Sequence, residues 1–197
     1  VSLVFAEVLR EKLRGIADLS PQEIAVLEGH YRLMVRWNSK LNLTKITALE
    51  ESVERHYVES LFLGRHLPDG ALRIVDIGSG AGFPGLPVAV LRPDCDVTLI
   101  ESHQRKAVFL REASREVKNI RVVSKRAEDV REVFDVAISR AVSYSDLESP
   151  RRALAPAFAL LTGGDAPPAG WKCELREPVP VPNGISRWLR SGTWRVR

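Results

Sequence analysis

Two cysteines in 197 residues, with no C-x-x-C pair between them, leave this sequence without a disulfide framework or a thiolate metal cage. Cys95 and Cys173 stand alone, as in a protein kept in a reducing cytoplasm, and no metal site is expected. Cys95 follows Pro93-Asp94 and is expected on an exposed turn. No apolar run approaches the roughly 18–20 residues of a membrane span, so no membrane contact is expected. The first ten residues lack a basic lead and are broken by Glu7, which does not fit a secretory signal. Biased tracts and internal repeats are also missing. What remains is an ordinary globular composition, 45% hydrophobic and 27% charged, long enough for one full core.

Charge of one sign is scarce as well, since the net value is only +4. Residues 1–66 carry nine basic and nine acidic side chains, and residues 67–170 carry fourteen of each. The excess therefore lies in residues 171–197, in Lys172, Arg176, Arg187, Arg190, Arg195 and Arg197. Such a tail can face a polyanion. It can equally be a solvated edge strand whose charges prevent unwanted pairing.

The first third has the rhythm of helices. Val4, Val8, Leu9, Leu13 and Ile16 recur at helical spacing. Ser20-Pro21-Gln22-Glu23 is a helix start, with a capping serine, a proline at the first helical position and a glutamate that reaches back. Asn38 to Thr44 is polar enough for a connection. Thr47-Ala48-Leu49-Glu50 repeats the capping-box pattern and predicts a helix through about Gly64. Pro68-Asp69-Gly70 marks a turn and a boundary between a helical extension, 1–68, and a core, 69–197.

From Leu72 onward strands alternate with helices. Strands are predicted at 72–77, 96–100, 120–124, 134–139 and 157–161, with helices around 88–91, 103–117 and 146–155. That alternation predicts right-handed crossovers and a mostly parallel sheet covered on both faces. Residues 174–181 and 187–196 read as two closely joined strands forming an antiparallel edge, seven strands in all.

The decisive segment runs from Asp76 to Gly85, Asp-Ile-Gly-Ser-Gly-Ala-Gly-Phe-Pro-Gly. Glycines after a strand let the backbone turn sharply and approach a ligand closely. Read from Gly80 the segment is a literal G-x-G-x-x-G, the dinucleotide pattern. The glycine that directly follows the strand is Gly78, however, and from there the spacing is G-x-G-x-G through Gly80 and Gly82, with Asp76 two residues ahead. An acid there would repel a pyrophosphate but can accept from a cationic amino-acid group. This arrangement, with Ser79 and Phe83 between and after the glycines, resembles the first motif of Rossmann-like S-adenosylmethionine (SAM) methyltransferases. Glu101 ends the second strand, where α/β nucleotide folds place a carboxylate on ribose hydroxyls, although nicotinamide enzymes share that feature. Ala127-Glu128 follows the third strand, where such folds meet an adenine.

Absences narrow the chemistry further. No N-P-P-Y or D-P-P-Y follows the fourth strand, where Ile138-Ser139-Arg140-Ala141 stands instead. No Pro-Cys pair offers a thiolate for attack on a pyrimidine. A target that already owns a lone pair fits best, because it needs neither deprotonation nor a covalent step.

From Trp37 to Leu161 the chain resembles the RsmG family, also called GidB, of bacterial small-subunit rRNA guanine-N7 methyltransferases. The resemblance rests on Trp37-Asn38 with Leu41-Asn42-Leu43-Thr44, on Arg55-His56 with Ser60-Leu61, and on the Asp76–Gly85 loop. Arg92-Pro93, Ala127-Glu128 and Ile138-Ser139-Arg140-Ala141 complete it. The family commonly has Asp where Glu59 stands here, and residues 163–168 leave no room for the helix this fold usually carries there.

The resemblance implies a class I SAM methyltransferase fold, SAM as cofactor, and 16S rRNA or the small ribosomal subunit as partner of a cytoplasmic monomer. It implies SAM contacts from Gly78 and Phe83, backbone access at Gly80 and Gly82, a ribose contact from Glu101 and an adenine border at Ala127-Glu128. Arg140 would sit beside the meeting point of methyl group and base, in contact with SAM, and with His56 and Asn38 would make up the catalytic residues. Asn38, His56 and Ser60 would lie across the mouth of the cleft; by themselves those three also fit a helix C-cap, a packed core histidine and a cap hydroxyl. Two other classes share these features: a methyltransferase of another substrate, and a protein that binds SAM and RNA without transfer.

Overall fold

The computed structural model describes residues 3–148, 154–164, 167–168, 171, 173–182 and 186–194. Helix α1 spans Leu3–Lys12 and helix α2 spans Pro21–Leu41. The start of α2 is the expected capping box: Glu23 N–H donates to Ser20 Oγ at 3.2 Å, and Ser20 N–H donates to the Glu23 carboxylate at 2.6 Å. Its end differs from expectation. The helix continues past Trp37 because Met34 and Leu41 keep its inner face buried, so Asn38 lies in its last turn and the connection is shorter. Asn42 ends it in the left-handed conformation, φ 47°.

A continuous helical stretch follows as α3, Leu49–Ser52, a π-helical turn, Val53–Val58, and α4, Glu59–Arg65. The second capping box does not form. Ala48 occupies the N-cap position and has no side-chain oxygen to offer, and no side chain caps that end. Residues 56 to 64 of this stretch are all buried, because it lies between the amino-terminal helices and the sheet. Such a segment has no solvated face on which to place a polar side chain.

The strands are β1, Arg73–Ile77; β2, Asp96–Ile100; β3, Ile120–Val123; β4, Val136–Arg140; and β5, Ala157–Thr162. Each of these begins and ends within two residues of expectation. Between them lie α5, Gly85–Leu91, α6, Gln104–Ala113, a 3-10 turn, Ala127–Asp129, and α7, Tyr144–Glu148. Residues 149–153 of the helix expected near 146–155 lie outside the described residues. Two short strands and a longer one close the sheet: β6, Cys173–Leu175, β7, Val179–Pro180, and β8, Trp188–Trp194. Among the described residues the sheet thus has eight strands. The expected strand over 174–181 is two, interrupted at 176–178, where Pro178 has no N–H for the ladder.

The strand order is β3-β2-β1-β4-β5-β8-β6, with β7 also on β8. The first five strands are parallel, and β8 runs antiparallel to β5. Sequence direction reverses between β1 and β4, and the crevice beyond their carboxyl ends is where open α/β sheets bind ligands. Alternate side chains divide between two cores. Ile74, Leu99, Ile138 and Ala159 face one side; Val75, Ile100, Ala137 and Phe158 face the other. The first core also contains Phe5, Leu27, Met34, Tyr57 and Leu61, so the amino-terminal helices and the sheet share one apolar cluster. Among the described residues no helix is long and apolar enough to cross a membrane.

Cys95 corrects an expectation, being 1% exposed. The turn around it is folded inward by Arg92, which donates to the Pro68 and Gly70 carbonyls, and by Asn119. The Asn119 amide lies 3.0, 3.1 and 2.9 Å from the carbonyls of Ala89, Arg92 and Cys95 and so joins the end of α5 to the start of β2. Asn119→Ala is expected to lower unfolding free energy by about 1–3 kcal/mol, read from urea midpoints, because it strands buried carbonyls. An unchanged midpoint would show that water replaces the amide freely.

Candidate functional site

The glycine loop leaves β1 with Gly78, Gly80 and Gly82 at φ 74°, 55° and 93°. Gly78 N–H and Ser79 N–H both donate to the Ile100 carbonyl at 3.0 Å, so the loop is bound at once to the end of β2. A Cβ at Gly78 would stand 2.8 Å from Val142 Cγ2, besides requiring a backbone that side chains rarely adopt. Glu101 crosses beneath the loop: one carboxylate oxygen accepts from Gly80 N–H at 3.0 Å, the other from His103 N–H at 2.7 Å. Each oxygen retains acceptor capacity for a further donor.

Asp76 is not in the cleft. Its side chain is fully buried below the loop, facing α5, and one oxygen accepts from Gly85 N–H at 3.0 Å. The pleat of β1 puts Asp76 on the same side as Ile74, toward that helix. A direct meeting with a cationic ligand group is therefore replaced by support of the loop's far end. Its second oxygen has no hydrogen-bond partner. Burial, first of all, pushes its carboxyl up to about 7.

A cleft of about 290 Å³ opens above the loop, bordered by Gly78, Phe83, Thr44, His56, Lys106 and Arg140. His56 comes from the π-helical turn, and its Nε2 is 2.9 Å from Thr44 Oγ1. Its ring stacks on Phe83 with centroids 4.7 Å apart. Burial, then the charge of Arg140, holds its pKa down at about 3. It is neutral across the physiological range and too weakly basic to take a proton efficiently.

Two other expected residues stand behind this one. Asn38 spends both ends of its amide on Thr44, donating to its carbonyl at 3.0 Å and accepting from its N–H at 2.9 Å. It is placed as the clamp of the residue that holds His56, outside the cleft lining, because α2 carries it to the outer side of that loop. Ser60 donates back to the His56 carbonyl at 2.5 Å within the helix. Ala127, half-buried, and Glu128, exposed, occupy the 3-10 turn beyond β3, farther along the same sheet end and not among the residues bordering this cleft.

Arg140 ends β4 and is nearly buried, with its guanidinium 5.8 Å from the Phe83 ring centroid. Its Nη1 is buried and has no hydrogen-bond partner. Burial lowers its pKa to about 10, so it remains charged at neutral pH. Ala141 follows with φ 59°, an uncommon value for a residue with a Cβ, which turns the chain sharply at the cleft.

Sequence reasoning missed the centre of this charge system. Glu59, 1% exposed, lies 3.2 Å from Arg55 Nε, 2.5 Å from Arg187 Nη2 and 3.8 Å from Arg140 Nε. A carboxylate in a helix without a solvated face must find cations, and that was its legible signal. Arg187 and Arg190 correct the reading of the basic tail. Arg187 is committed to Glu59, and Arg190, 9% exposed, donates to Thr162 Oγ1 at 3.2 Å and to the Gly164 carbonyl at 3.3 Å. Because β8 is flanked on both sides, its Arg190 is internal, and Arg187 just before it is drawn in by Glu59. Arg176 is exposed; Lys172, Arg195, Arg197, Asp165 and Ala166 lie outside the described residues. His30, also missed, is buried in α2 with Nε2 2.8 Å from the Ala81 carbonyl of the glycine loop.

The profile of the GidB family, rRNA small subunit methyltransferase G, matches residues 23–149. A ribosomal RNA small subunit methyltransferase G of Roseiflexus castenholzii is 45% identical over 145 residues, covering 70% of this chain and 62% of that protein. A namesake from Lachnoclostridium phytofermentans is 39% identical over 136 residues, 64% of this chain and 56% of its own. The chain therefore spans little more than half the length of such relatives. Among solved structures, Aeropyrum pernix fibrillarin with natively bound S-adenosyl-L-methionine superposes with a TM-score of 0.54 at 14% identity, covering 68% of this chain and 73% of its own. That likeness shows the fold.

The buried groups make acid stability predictable. His30, at about 4, and His56, at about 3, lie below the ordinary 6.5, so their stabilising contribution is present above 6.5 and lost as pH falls. Asp76, at about 7 against 3.8, acts in the opposite direction, because the folded chain keeps a proton the unfolded one releases. Between pH 6 and 5 the unfolded state carries about two protons on these histidines that the folded state lacks, and the folded state carries one on Asp76 that the unfolded state lacks. The net single proton predicts a loss of about 1.4 kcal/mol per pH unit. Asp76→Asn is expected to double that slope in urea titrations; a slope near zero in this variant, with the parent's slope reversed in sign, would show that the histidines charge in place.

Proposed function

The chain belongs to the GidB family, rRNA small subunit methyltransferase G, and on that premise we propose that it transfers methyl from SAM to N7 of a guanine in a loop of 16S rRNA. The observation that carries this reading is the junction of two features at one crevice. A glycine loop with a carboxylate beneath it ends β1, and a charged arginine with a free buried N–H ends the neighbouring β4.

The residues present fit SAM. Gly78 leaves open the space that a Cβ would take, and Phe83 offers an apolar wall. Glu101 has spare acceptor capacity for ribose hydroxyls. Ser79, Gly80 and Gly82 shape the backbone around the ligand, while Ala127 and Glu128 stand where an adenine would reach along the sheet. Asp76 serves through the loop it supports. When bound, SAM supplies a methyl group activated by the adjoining sulfonium.

Guanine N7 is an acceptor on the major-groove edge, so its lone pair needs no base. A neutral His56 agrees with that requirement: it packs Phe83 and holds Thr44 without taking a proton. Arg140 directs its unpartnered Nη1–H toward guanine O6, beside N7, or toward a phosphate. The chief work of the protein is alignment in a site screened from water, a contribution on the order of 7–11 kcal/mol. A stacked base is hidden, so the substrate is a loop or splayed nucleotide. In this reading residues 1–68 wall the cleft and 69–197 form the SAM-binding core of a cytoplasmic monomer that acts on the small subunit or its RNA.

Labelled methyl transfer to unmodified small subunits and to naked 16S rRNA, followed by chemical cleavage at N7-methylguanine, is expected to give one cleavage site. Incorporation without that cleavage would remove the N7 assignment, and none would remove the enzyme. Gly78→Val is expected to abolish SAM binding. Arg140→Ala should leave SAM affinity within about twofold and slow transfer about a hundredfold, as loss of one aimed donor does; intact turnover would take Arg140 out of the reaction.

A further inference from the structure

Helix α2 carries His30 into the core on the same face as Leu27 and Met34, both fully buried. Both ring nitrogens are engaged. Nε2 lies 2.8 Å from the Ala81 carbonyl, and Nδ1 lies 2.9 Å from the Tyr57 hydroxyl. A carbonyl can only accept, so Nε2 must hold the ring proton, and Nδ1 then accepts from Tyr57 O–H. Chemistry alone thus fixes one tautomer and one direction: Tyr57 to His30 to Ala81. Burial holds the imidazole neutral and pushes the Tyr57 phenol well up, so neither group changes charge near neutrality.

The acceptor, Ala81, lies in the stretch of the glycine loop that borders the cleft. Ala81 stands between Gly80 and Gly82, both at positive φ, where nothing in the local chain favours one conformation strongly. The loop's other bonds run to the sheet or stay within the loop, and at its middle Gly80 N–H is held by the Glu101 carboxylate at the end of β2. Gly78 and Ser79 are tied to Ile100, and Gly82 and Phe83 N–H return to the Ser79 carbonyl at 2.7 and 3.2 Å. The tie between the middle of the loop and the helical extension is His30. A Cβ at Gly82 would approach His30 Nε2 to 3.3 Å, so the imidazole fills the space which that glycine leaves. Phe83, which borders the cleft, packs edge-on against both partners of the pair, with centroids 5.1 Å from His30 and 5.1 Å from Tyr57.

We propose that His30, oriented by Tyr57, is a positioning residue that holds the glycine loop in its ligand-binding conformation through the Ala81 carbonyl. This rests on the reading of that loop as the SAM site. Without the bond the carbonyl is buried and unsatisfied, and the loop spends part of its time in other conformations. Apparent affinity falls by the fraction of time that the competent form is lost. The helical extension then sets cofactor affinity although it contributes no cofactor contact through this residue.

Full-length parent, His30→Phe, His30→Gln and Tyr57→Phe proteins decide the matter by two readouts. The first is amide hydrogen exchange at Gly80, Gly82 and Phe83 without cofactor; the second is the SAM dissociation constant by calorimetry. His30→Phe is expected to speed loop exchange and weaken SAM about tenfold each, with β1 and β4 protection unchanged. In transfer assays the KM for SAM should rise by the same factor while kcat stays within about twofold. His30→Gln, which restores a donor near the same carbonyl, should recover most of both effects. Unchanged loop exchange in folded His30→Phe, or a glutamine no better than phenylalanine, overturns the proposal. If His30→Phe does not fold, Tyr57→Phe keeps the imidazole and reads the same amides; an effect there of less than about twofold also overturns it. Faster loop exchange in a series whose parent binds no SAM would uphold the positioning role and remove the cofactor reading instead.

Discussion

A carboxylate taken out of water has to be answered by cations, and Glu59 is answered from three parts of the chain. Arg55 comes from the preceding helical turn, Arg140 from the end of β4 and Arg187 from the approach to β8. The net stabilisation of such a cluster is modest, because desolvation cancels much of the attraction. What it does is penalise every arrangement in which those segments are not together, since any of them would leave a buried charge unmatched. The helical extension, the cleft and the antiparallel end of the sheet are thereby held in one mutual register.

The consequences reach the cleft. Arg140 is steered by Glu59 on one side and by the Phe83 ring on the other, which leaves its Nη1 over as the group with something still to bind. Phe83 is in turn enclosed by His56 and Tyr57, and His56 is held by Thr44, which Asn38 clamps. The polar side chains around the cleft are therefore mostly spent on one another. That is the economy expected of a site whose chemistry asks for alignment and dryness more than for proton transfer.

Much of this was legible in the sequence wherever the signal was local. Ser20 to Glu23 specified a helix start that formed as written, and the alternation after Leu72 gave the parallel strands within two residues. The glycine spacing and the end of β4 placed the cleft. The readings of the buried charges and of His30 failed because they depended on partners distant in sequence. His30 meets Ala81 across 51 residues, and Arg187 meets Glu59 across 128. Arg187 and Arg190 counted as surplus charge only until the fold supplied Glu59 and Thr162. Asp76 lay at the right place in the motif, but the pleat of β1, not the motif, decided which way it faced.

The π-helical turn that carries His56 has a consequence of its own. A π turn holds one residue more than the α-helix it interrupts, so the helix changes phase there. The residues before Val53 and after Val58 are rotated by about 100° relative to an uninterrupted helix. That phase shift lets one short stretch present His56 to Thr44 and the cleft, Tyr57 to the aromatic core, and Glu59 to three arginines. A chain one residue shorter at this point would close into plain helix and turn the residues before the π turn by about 100° relative to Glu59 and the helix that follows. The extra residue joins the chemistry of the cleft to the assembly of the fold.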